Sequence, residues 1–356
     1  MGSNSNLRSW QLTFVCISVM LFLAACSGSS TPRTSATQTK NITYPVIEIT
    51  ASPFPTETPT PQPIGSPDNP VIMGLVTPTN NTGAADSDLQ IASFLTKQTG
   101  YSFQVVSYDN YPSLISDIEN GKVMAAWLPP FTYLATNQDG LVNVALVSNH
   151  FGVYSYGTMF LANIESGFTS YFDANTNQDS ADASQALHQL DGKRPCLVEP
   201  KSASGYVVPL GILSTQEISF QEPVLTQTFS AVIRSLYIQQ ICDYGATYAI
   251  SGDPRTASSI QNSFPDVMSK IIIIWRSDPV IPNLSLVYHT NLPKGISQLV
   301  TDALVNWVKT DEGKKALTDA NQYDIADLKP VDDSYYDPLR AYLKASKVDL
   351  DSLVGR

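Results

Sequence analysis

The sequence is poor in the residue types that build metal sites and redox centres. Its 356 residues include three histidines and four cysteines. These are His150, His188, His289, Cys16, Cys26, Cys196 and Cys242. No CxxC or HExxH spacing can be formed from them, which argues against a structural zinc site. We therefore expect neither a metal nor a cofactor.

Basic residues are also scarce. Lys and Arg number 21 against 32 Asp and Glu, so the formal net charge is −11. Binding to a phosphate backbone depends on clustered Lys and Arg that release counterions, and this balance argues against nucleic acid as a partner. The hydrophobic fraction of 43% is enough to bury a core in one large domain or two medium ones.

The N-terminus has the layout of an export signal. One cation, Arg8, precedes an apolar stretch over residues 12–25 that is too short for a membrane span but typical of a signal peptide. Residues 23–26 (LAAC) resemble the bacterial lipobox, in which the cysteine receives a diacylglycerol and becomes the first mature residue. This resemblance predicts a lipoprotein signal peptide over 1–25 and lipidation of Cys26. A cleaved secretory peptide with an incidental cysteine is the alternative.

Residues 26–68 have the composition of a disordered tether. Ser, Thr, Asn and Pro dominate, with eight prolines between Pro45 and Pro70. Such a stretch buries too little apolar area to offset its loss of chain entropy, and its prolines keep it extended. A short edge strand over 44–50 is the alternative within it.

From residue 69 onward strand and helix patterns alternate. Strands are predicted at 71–76, 102–107, 123–128, 142–147, 158–162, 194–198, 242–250, 270–275 and 284–289. Helices are predicted at 86–100, 111–120, 185–190, 206–213, 223–240 and 294–309. This alternation predicts mostly parallel sheets with helices on their faces and ligands at the carboxyl ends of strands. Two such series favour two lobes over one continuous sheet.

The loop between the strand ending at Val198 and the helix beginning near Tyr206 suits an anion. Its small residues leave backbone N–H groups free at the positive end of a helix dipole, and Ser202 and Ser204 can add hydroxyl donors. Gly205 permits close approach of the backbone to a ligand. The alternative is an ordinary helix N-cap, for which Ser204 is equally well suited.

A family resemblance is centred on this loop. Residues 192–206 (GKRPCLVEPKSASGY) resemble the phosphate, phosphite and phosphonate binding proteins of ABC importers, the PhnD-like family. That family has a GK pair, a short strand, an acidic residue with proline, and then STSGY; Ala203 stands where the family usually has Thr. Further matches, in the same order as in the family, are a helix from Tyr111 to Gly121, 129–133 (PPFTY), 243–246 (DYGA) and 276–282 (RSDPVIP).

The resemblance, which spans about 70–310, implies a two-lobed type II periplasmic-binding fold. Such a fold has two mixed, mostly parallel sheets flanked by helices and joined by two crossover strands. We expect lobe one at 69–155 plus 286–356 and lobe two at 156–285. The ligand would lie between the lobes, which would close over it and present the closed face to a permease.

The same resemblance supplies candidate ligand residues. Those of lobe two are Ser202, Ser204, Gly205 and Tyr206, and those of lobe one are Tyr111, Thr132 and Tyr133. Asp243 and Glu199 are acidic candidates that would select a protonated anion or an amine on the ligand. The alternatives are core positions for the tyrosines and a surface or strand-capping role for Asp243. His150 lies near the first crossover, where we expect local hydrogen bonds to satisfy it.

Cys196 and Cys242 open adjacent predicted strands of lobe two. An extracytoplasmic location permits their oxidation, so they form either a disulfide or two buried free thiols.

The expected function is that of a lipid-anchored, extracytoplasmic solute-binding protein of an ABC importer. It would bind a small phosphorus oxyanion as a monomer, pass it to permease and ATPase subunits and catalyse nothing. A sensory module for a membrane kinase is one alternative. A hydrolase with Ser204 as nucleophile is another, although the loop lacks a GxSxG elbow. A sulfur oxyanion or a vitamin precursor also remains open as the ligand.

Overall fold

The folded part of the chain begins before residue 69. The computed structural model describes residues 62–77, 82–239 and 241–355, with the side chains of 82–84 left out. The predicted signal peptide, Cys26 and the tether up to residue 61 lie outside the described residues. Within 62–68 the predicted tether is wrong: the Gly65 N–H donates to the Asn69 carbonyl (2.7 Å), and the Gly65 carbonyl accepts from the Ser102 N–H (2.8 Å). These bonds attach the turn to the folded domain.

The described strands and helices follow one another in three segments of chain. The first contains β1 (Val71–Val76), α1 (Thr82–Thr99), β2 (Phe103–Tyr108), α2 (Tyr111–Glu119), β3 (Ala125–Leu128), α3 (Pro130–Gln138) and β4 (Val142–Asn149). The second contains β5 (Ser155–Asn163), β6 (Phe172–Asp173), β7 (Gln178–Asp179), α4 (Ala183–Leu187), β8 (Pro195–Leu197), a π turn (Ala203–Val207) leading into α5 (Val208–Thr215), β9 (Val224–Leu225), α6 (Phe229–Ile238), β10 (Tyr244–Ala249), α7 (Ser258–Gln261), α8 (Val267–Lys270), β11 (Ile271–Arg276) and β12 (Ile281–Pro282). The third contains β13 (Ser285–His289), α9 (Lys294–Trp307), α10 (Asp311–Asn321), β14 (Asp327–Pro330), α11 (Asp337–Ser346) and α12 (Leu350–Val354).

Each lobe is built on one sheet. The sheet of lobe one has the order β14-β4-β13-β3-β1-β2, and that of lobe two β11-β5-β10-β8-β9 with β12 also paired to β5. The two-lobed α/β fold is therefore confirmed. The pairs β1–β2, β1–β3, β8–β10 and β8–β9 are parallel and the others in these two sheets antiparallel. The expectation of mostly parallel sheets is wrong, because β5 and β13, which enter each sheet after a crossover, run against their neighbours.

Two crossovers join the lobes and are hydrogen-bonded to each other. The chain leaves the first sheet after Asn149 and returns between Pro282 and Ser285. The Asn283 side-chain amide donates to the Val153 carbonyl (2.7 Å), and the Asn283 N–H donates to the Tyr154 carbonyl (3.1 Å). These hydrogen bonds hold the two crossover segments side by side where they connect the lobes.

The prediction places residues 286–356 in lobe one, but the C-terminal helices contact both lobes. α11 packs against α5 of lobe two so closely that a Cβ built on Gly211 would lie 2.3 Å from the Tyr342 carbonyl oxygen. α12 then packs against α3 of lobe one. An amphipathic tail can cover either lobe, and its sequence pattern does not say which.

The helix predicted over 223–240 is shorter. Val224–Leu225 instead form the edge strand β9, and the Thr226 N–H donates to the Leu197 carbonyl (2.7 Å). The helix begins at Phe229 because the Thr228 hydroxyl caps it by accepting from the Ala231 N–H (3.1 Å).

A disulfide links the two cysteines of lobe two. Cys196 in β8 and Cys242, just before β10, are bonded with their Cα atoms 5.6 Å apart. Because β8 and β10 are parallel neighbours, the bridge ties together the starts of two adjacent strands.

Candidate ligand-binding cleft

A cleft of about 960 Å³ lies between the lobes, where several strands end and helices begin. From lobe one it is reached by the starts of α2 and α3, which follow β2 and β3. From lobe two it is reached by the π turn after β8 and by the carboxyl end of β10. In parallel pairs these ends meet at one edge of the sheet, which is where ligands bind in open α/β sheets.

The lobe-two wall is the loop 201–204. Ser202 caps the π turn, its hydroxyl accepting from the Gly205 N–H (3.1 Å), so its own O–H proton remains available to donate. Among the described residues, the N–H groups of Ala203 and Ser204 and the Ser204 hydroxyl have no hydrogen-bond partner. The wall therefore presents neutral donors at the positive end of a helix.

Two of the predicted lobe-two residues support this wall from behind. Gly205 does not line the cleft; a Cβ there would lie 2.5 Å from Val198 Cγ2 and 2.9 Å from Ser202 Oγ, so glycine is required by packing. Its carbonyl accepts from the Val198 N–H (3.0 Å). Tyr206 also does not line the cleft and packs against the hydrophobic core. These residues shape the loop rather than contact a ligand.

The lobe-one wall is made by two helix starts. Tyr111 is the first residue of α2, which is capped by the Asn110 side chain, and Thr132 lies in the first turn of α3. The N–H groups of Phe131 and Thr132 have no hydrogen-bond partner among the described residues. Burial raises the pKa of Tyr111 to about 12, so its side chain stays a neutral hydroxyl donor and does not repel an anion as a phenolate would.

Tyr133 belongs to the core and not to the cleft. Its ring is fully buried, lies 4.3 Å from that of Tyr336, and its hydroxyl donates to the Asp333 carboxylate. Its side chain therefore does not line the cleft, whereas that of Thr132 does.

The two acidic candidates also lie outside the cleft lining. Asp243 precedes β10, and its carboxylate accepts from the Arg194 N–H (2.7 Å), which is a strand-capping role. The cleft is at the other end of this six-residue strand, roughly 20 Å away at 3.3 Å per residue. Glu199 is exposed, and its backbone carbonyl accepts from the Ser202 N–H (3.0 Å). Neither residue is therefore part of the cleft lining.

Aromatic residues that the sequence analysis did not single out line much of the cleft. Phe229 and Tyr248 of lobe two meet edge to face with ring centroids 4.9 Å apart. Tyr156 and Phe131 add rings from the two sides, and burial raises the pKa of Tyr156 to about 12. The rule that ligands lie at carboxyl ends of parallel strands would have indicated Tyr248 at the end of β10.

His150 is hydrogen-bonded as predicted, although its ring partner is distant in sequence rather than local, and it also lines the cleft. Its Nδ1 lies 2.9 Å from the Asp324 carbonyl, which can only accept, so Nδ1 carries a proton. The ring stacks on Tyr323 with centroids 3.9 Å apart. Both rings border the cleft on the lobe-one side.

The cleft carries little charge. Among the residues that the structure describes, Lys201 is the one lysine or arginine that lines it and Asp109 the one carboxylate, and both are exposed. Throughout the described residues, no three His, Cys, Asp or Glu side chains are grouped so as to hold a metal ion. No helix in that part of the chain combines the length and apolar character needed to cross a membrane.

Two lobes that enclose a cleft bordered by the N-termini of helices are the architecture of a solute-binding protein of the periplasmic type. The chain matches the family described as "ABC transporter, phosphonate, periplasmic substrate-binding protein" over residues 76–336, and it belongs to that family. Members are extracytoplasmic, bind a small ligand and work with permease and ATPase subunits, and the family is not an enzyme class.

Individual relatives are distant in sequence. The phosphate-import protein PhnD of Mycolicibacterium smegmatis is 22% identical over 343 residues, which cover 90% of this chain and 91% of that protein. Among solved structures, XAC2383 from Xanthomonas citri bound to chloride aligns with a TM-score of 0.55 at 15% identity, covering 78% of this chain and 97% of that one. Its ATP-bound structure aligns with a TM-score of 0.53 at 14% identity, covering 78% and 96%. These structural likenesses establish the fold.

Proposed function

We propose that this protein holds a phosphorus oxyanion between three helix starts: the π turn at Ala203, α2 at Tyr111 and the first turn of α3, which contains Thr132. The family supplies the class of ligand, and the M. smegmatis relative is named for phosphate import. The observation that supports this placement is a set of donors without a hydrogen-bond partner among the described residues, namely the N–H groups of Ala203, Ser204 and Thr132 and the Ser204 hydroxyl. Oriented N–H groups at helix N-termini are a general site for oxyanions.

Neutral donors suit a protein that must also release its ligand. Hydrogen bonds to a charged group contribute about 1.5–3 kcal/mol each, so a few of them give useful affinity without several buried cations. The hydrogen-bonded crossovers at Asn283 supply the hinge about which the two walls approach the anion. The closed face would then be the one that a permease recognises.

The experiment is calorimetry with the mature chain lacking the leader and Cys26. Phosphate, phosphite, methylphosphonate and 2-aminoethylphosphonate are each titrated, with sulfate as a sulfur oxyanion for comparison. At least one phosphorus anion should bind and raise the melting temperature, since a ligand of the native state alone stabilises it. Ser204→Ala should weaken that binding, whereas Ser263→Ala, an exposed serine near the end of α7, should not. A folded protein that binds none of the phosphorus anions would contradict the proposal.

We also propose that Cys26 anchors the protein to the outer face of the cell membrane and that the protein acts as a monomer. The LAAC sequence at 23–26 and the proline-rich stretch after it support anchoring. Cys26→Ser should release the protein from the membrane fraction, and mass spectrometry should find a diacylglyceryl group on the wild-type residue. Light scattering of the lipid-free chain should give the mass of one chain. A Cys26→Ser variant that stays in the membrane fraction would contradict the lipid anchor. A measured mass of two chains would contradict the monomer.

A further inference from the structure

We infer that the transported ligand carries a flat apolar or aromatic substituent on its phosphorus oxyanion group, and no cationic group. This inference rests on the proposed function, because it takes the oxyanion to lie at the helix starts. It extends that function by assigning the part of the cleft beyond the oxyanion donors to a substituent of the ligand.

The size of the cleft is the first observation. Inorganic phosphate or methylphosphonate has five heavy atoms, whereas clefts of roughly 300–1,000 Å³ accommodate drug-sized ligands. The cleft of about 960 Å³ lies at the upper end of that range. The donors at loop 201–204, Tyr111 and Thr132 account for one part of its lining, and apolar side chains make up much of the rest.

The chemistry of that remaining lining is the second observation. One aromatic pair, Phe229 with Tyr248, borders the cleft from lobe two, and another, His150 stacked on Tyr323, borders it on the lobe-one side. The buried aliphatic side chains of Leu353 and Val354 from α12 add to this apolar surface, beside the polar residues Asn110, Ser251 and Asn283. Aromatic rings on two sides favour a planar apolar group, which gains from both area burial and ring stacking.

The third observation is that the lining contains no buried acid over the described part of the chain. There Asp109 is the one carboxylate that lines the cleft, and it is exposed; Asp243 and Glu199 lie outside the lining. An aminoalkyl group would lose its hydration in the cleft without a buried carboxylate to replace it, which is costly for an ammonium ion. A trimethylammonium group would likewise find no buried carboxylate among the described residues that line the cleft.

The test compares ligands that share one head group. The mature chain lacking the leader and Cys26 is titrated with phenylphosphonate, methylphosphonate, 2-aminoethylphosphonate, phosphocholine and inorganic phosphate. Phenylphosphonate should bind at least about tenfold more tightly than methylphosphonate, from the apolar area that its ring buries. Phe229→Leu should reduce this preference, and the matched variant Phe220→Leu, which alters a partly exposed ring outside the cleft, should leave it unchanged.

The possible outcomes distinguish failure of the inferred substituent from failure of the proposed oxyanion binding. Methylphosphonate or phosphate binding as tightly as phenylphosphonate would overturn the inference and leave the proposed function standing. Tighter binding of 2-aminoethylphosphonate or phosphocholine would overturn it in favour of a cationic substituent. A preference for phenylphosphonate that Phe229→Leu does not change would also overturn it, since the ring would then lie elsewhere. No binding of any of the five to a folded protein would contradict the proposed function itself.

Discussion

The two walls of the cleft are built in different ways. On lobe two the donors come from one loop, 201–204, that follows the three-residue strand β8, and this strand is cross-linked to the start of β10 by a disulfide. On lobe one they come from two helices that begin at Tyr111 and Pro130 and rest on a six-stranded sheet that contains no cysteine. The position of the lobe-two donors thus depends on one short strand and its disulfide. The position of the lobe-one donors, which lie on two helices, depends on the whole six-stranded sheet.

Removing the cross-link should have the largest effect on stability and should affect lobe two. The disulfide joins residues 46 apart, and closing a loop of that size stabilises a fold by roughly 4 kcal/mol in the chain-entropy account. The variant Cys196→Ala with Cys242→Ala should lower the free energy of unfolding by about 2–5 kcal/mol in a urea titration. Reducing the wild type with dithiothreitol should reproduce the loss. A double variant as stable as the wild type would show that the bridge does not support this lobe.

Removing donors from loop 201–204 should have the next largest effect. Ala203 is the first helical residue after the cap Ser202, a position where proline is tolerated, so Ala203→Pro removes one N–H and little else. Combined with Ser204→Ala it removes two donors to the anion, and we expect at least about a hundredfold loss of affinity by calorimetry. Ala203→Gly keeps the N–H and serves as the control. Unchanged affinity in the double variant would exclude this loop from the site.

The contact of α11 with lobe two can be tested at Gly211. A methyl group there would lie 2.3 Å from the Tyr342 carbonyl oxygen, so Gly211→Ala should push the helices apart and lower the free energy of unfolding by about 1–3 kcal/mol. Gly295→Ala in α9, where a Cβ meets nothing within 4 Å, should be neutral or stabilising. Equal melting curves for Gly211→Ala and the wild type would contradict the packing of α11 on α5.

The lobe-one wall should respond more mildly, because its donors are dispersed. Thr132→Val removes one hydroxyl at nearly constant volume, and we expect about a tenfold loss of affinity. Tyr133→Phe, one residue away, removes a hydroxyl that bonds Asp333, so it should lower stability without lowering affinity. The reverse result would restore Tyr133 to the site and remove the Thr132 hydroxyl from it.

The sequence predicted what is local. Loop 201–204 could be predicted as a donor site because a strand, small residues and a helix follow one another within about fifteen residues. Ser202 and Ser204 of this loop do line the cleft. Tyr111 and Thr132 were found for the same reason, as residues at helix starts after strands.

What was missed depends on distant parts of the chain. Tyr323 reaches the cleft through its stack on His150, more than 170 residues earlier, and nothing in the sequence pairs them. Asp243 was misplaced because a family match does not say which end of a strand faces the ligand, and here the carboxylate caps the start of β10. The lobe against which α11 packs could not be predicted, because its apolar face is compatible with either lobe.

The most direct measurement is a crystal structure of the protein with methylphosphonate. If neutral donors of both lobes hold the anion, its oxygens should lie about 2.7–3.2 Å from the backbone nitrogens of Ala203 and Ser204 and within hydrogen-bond distance of Thr132. A phosphonate bound elsewhere, with the amides of Ala203 and Ser204 bonded only to water, would contradict the account.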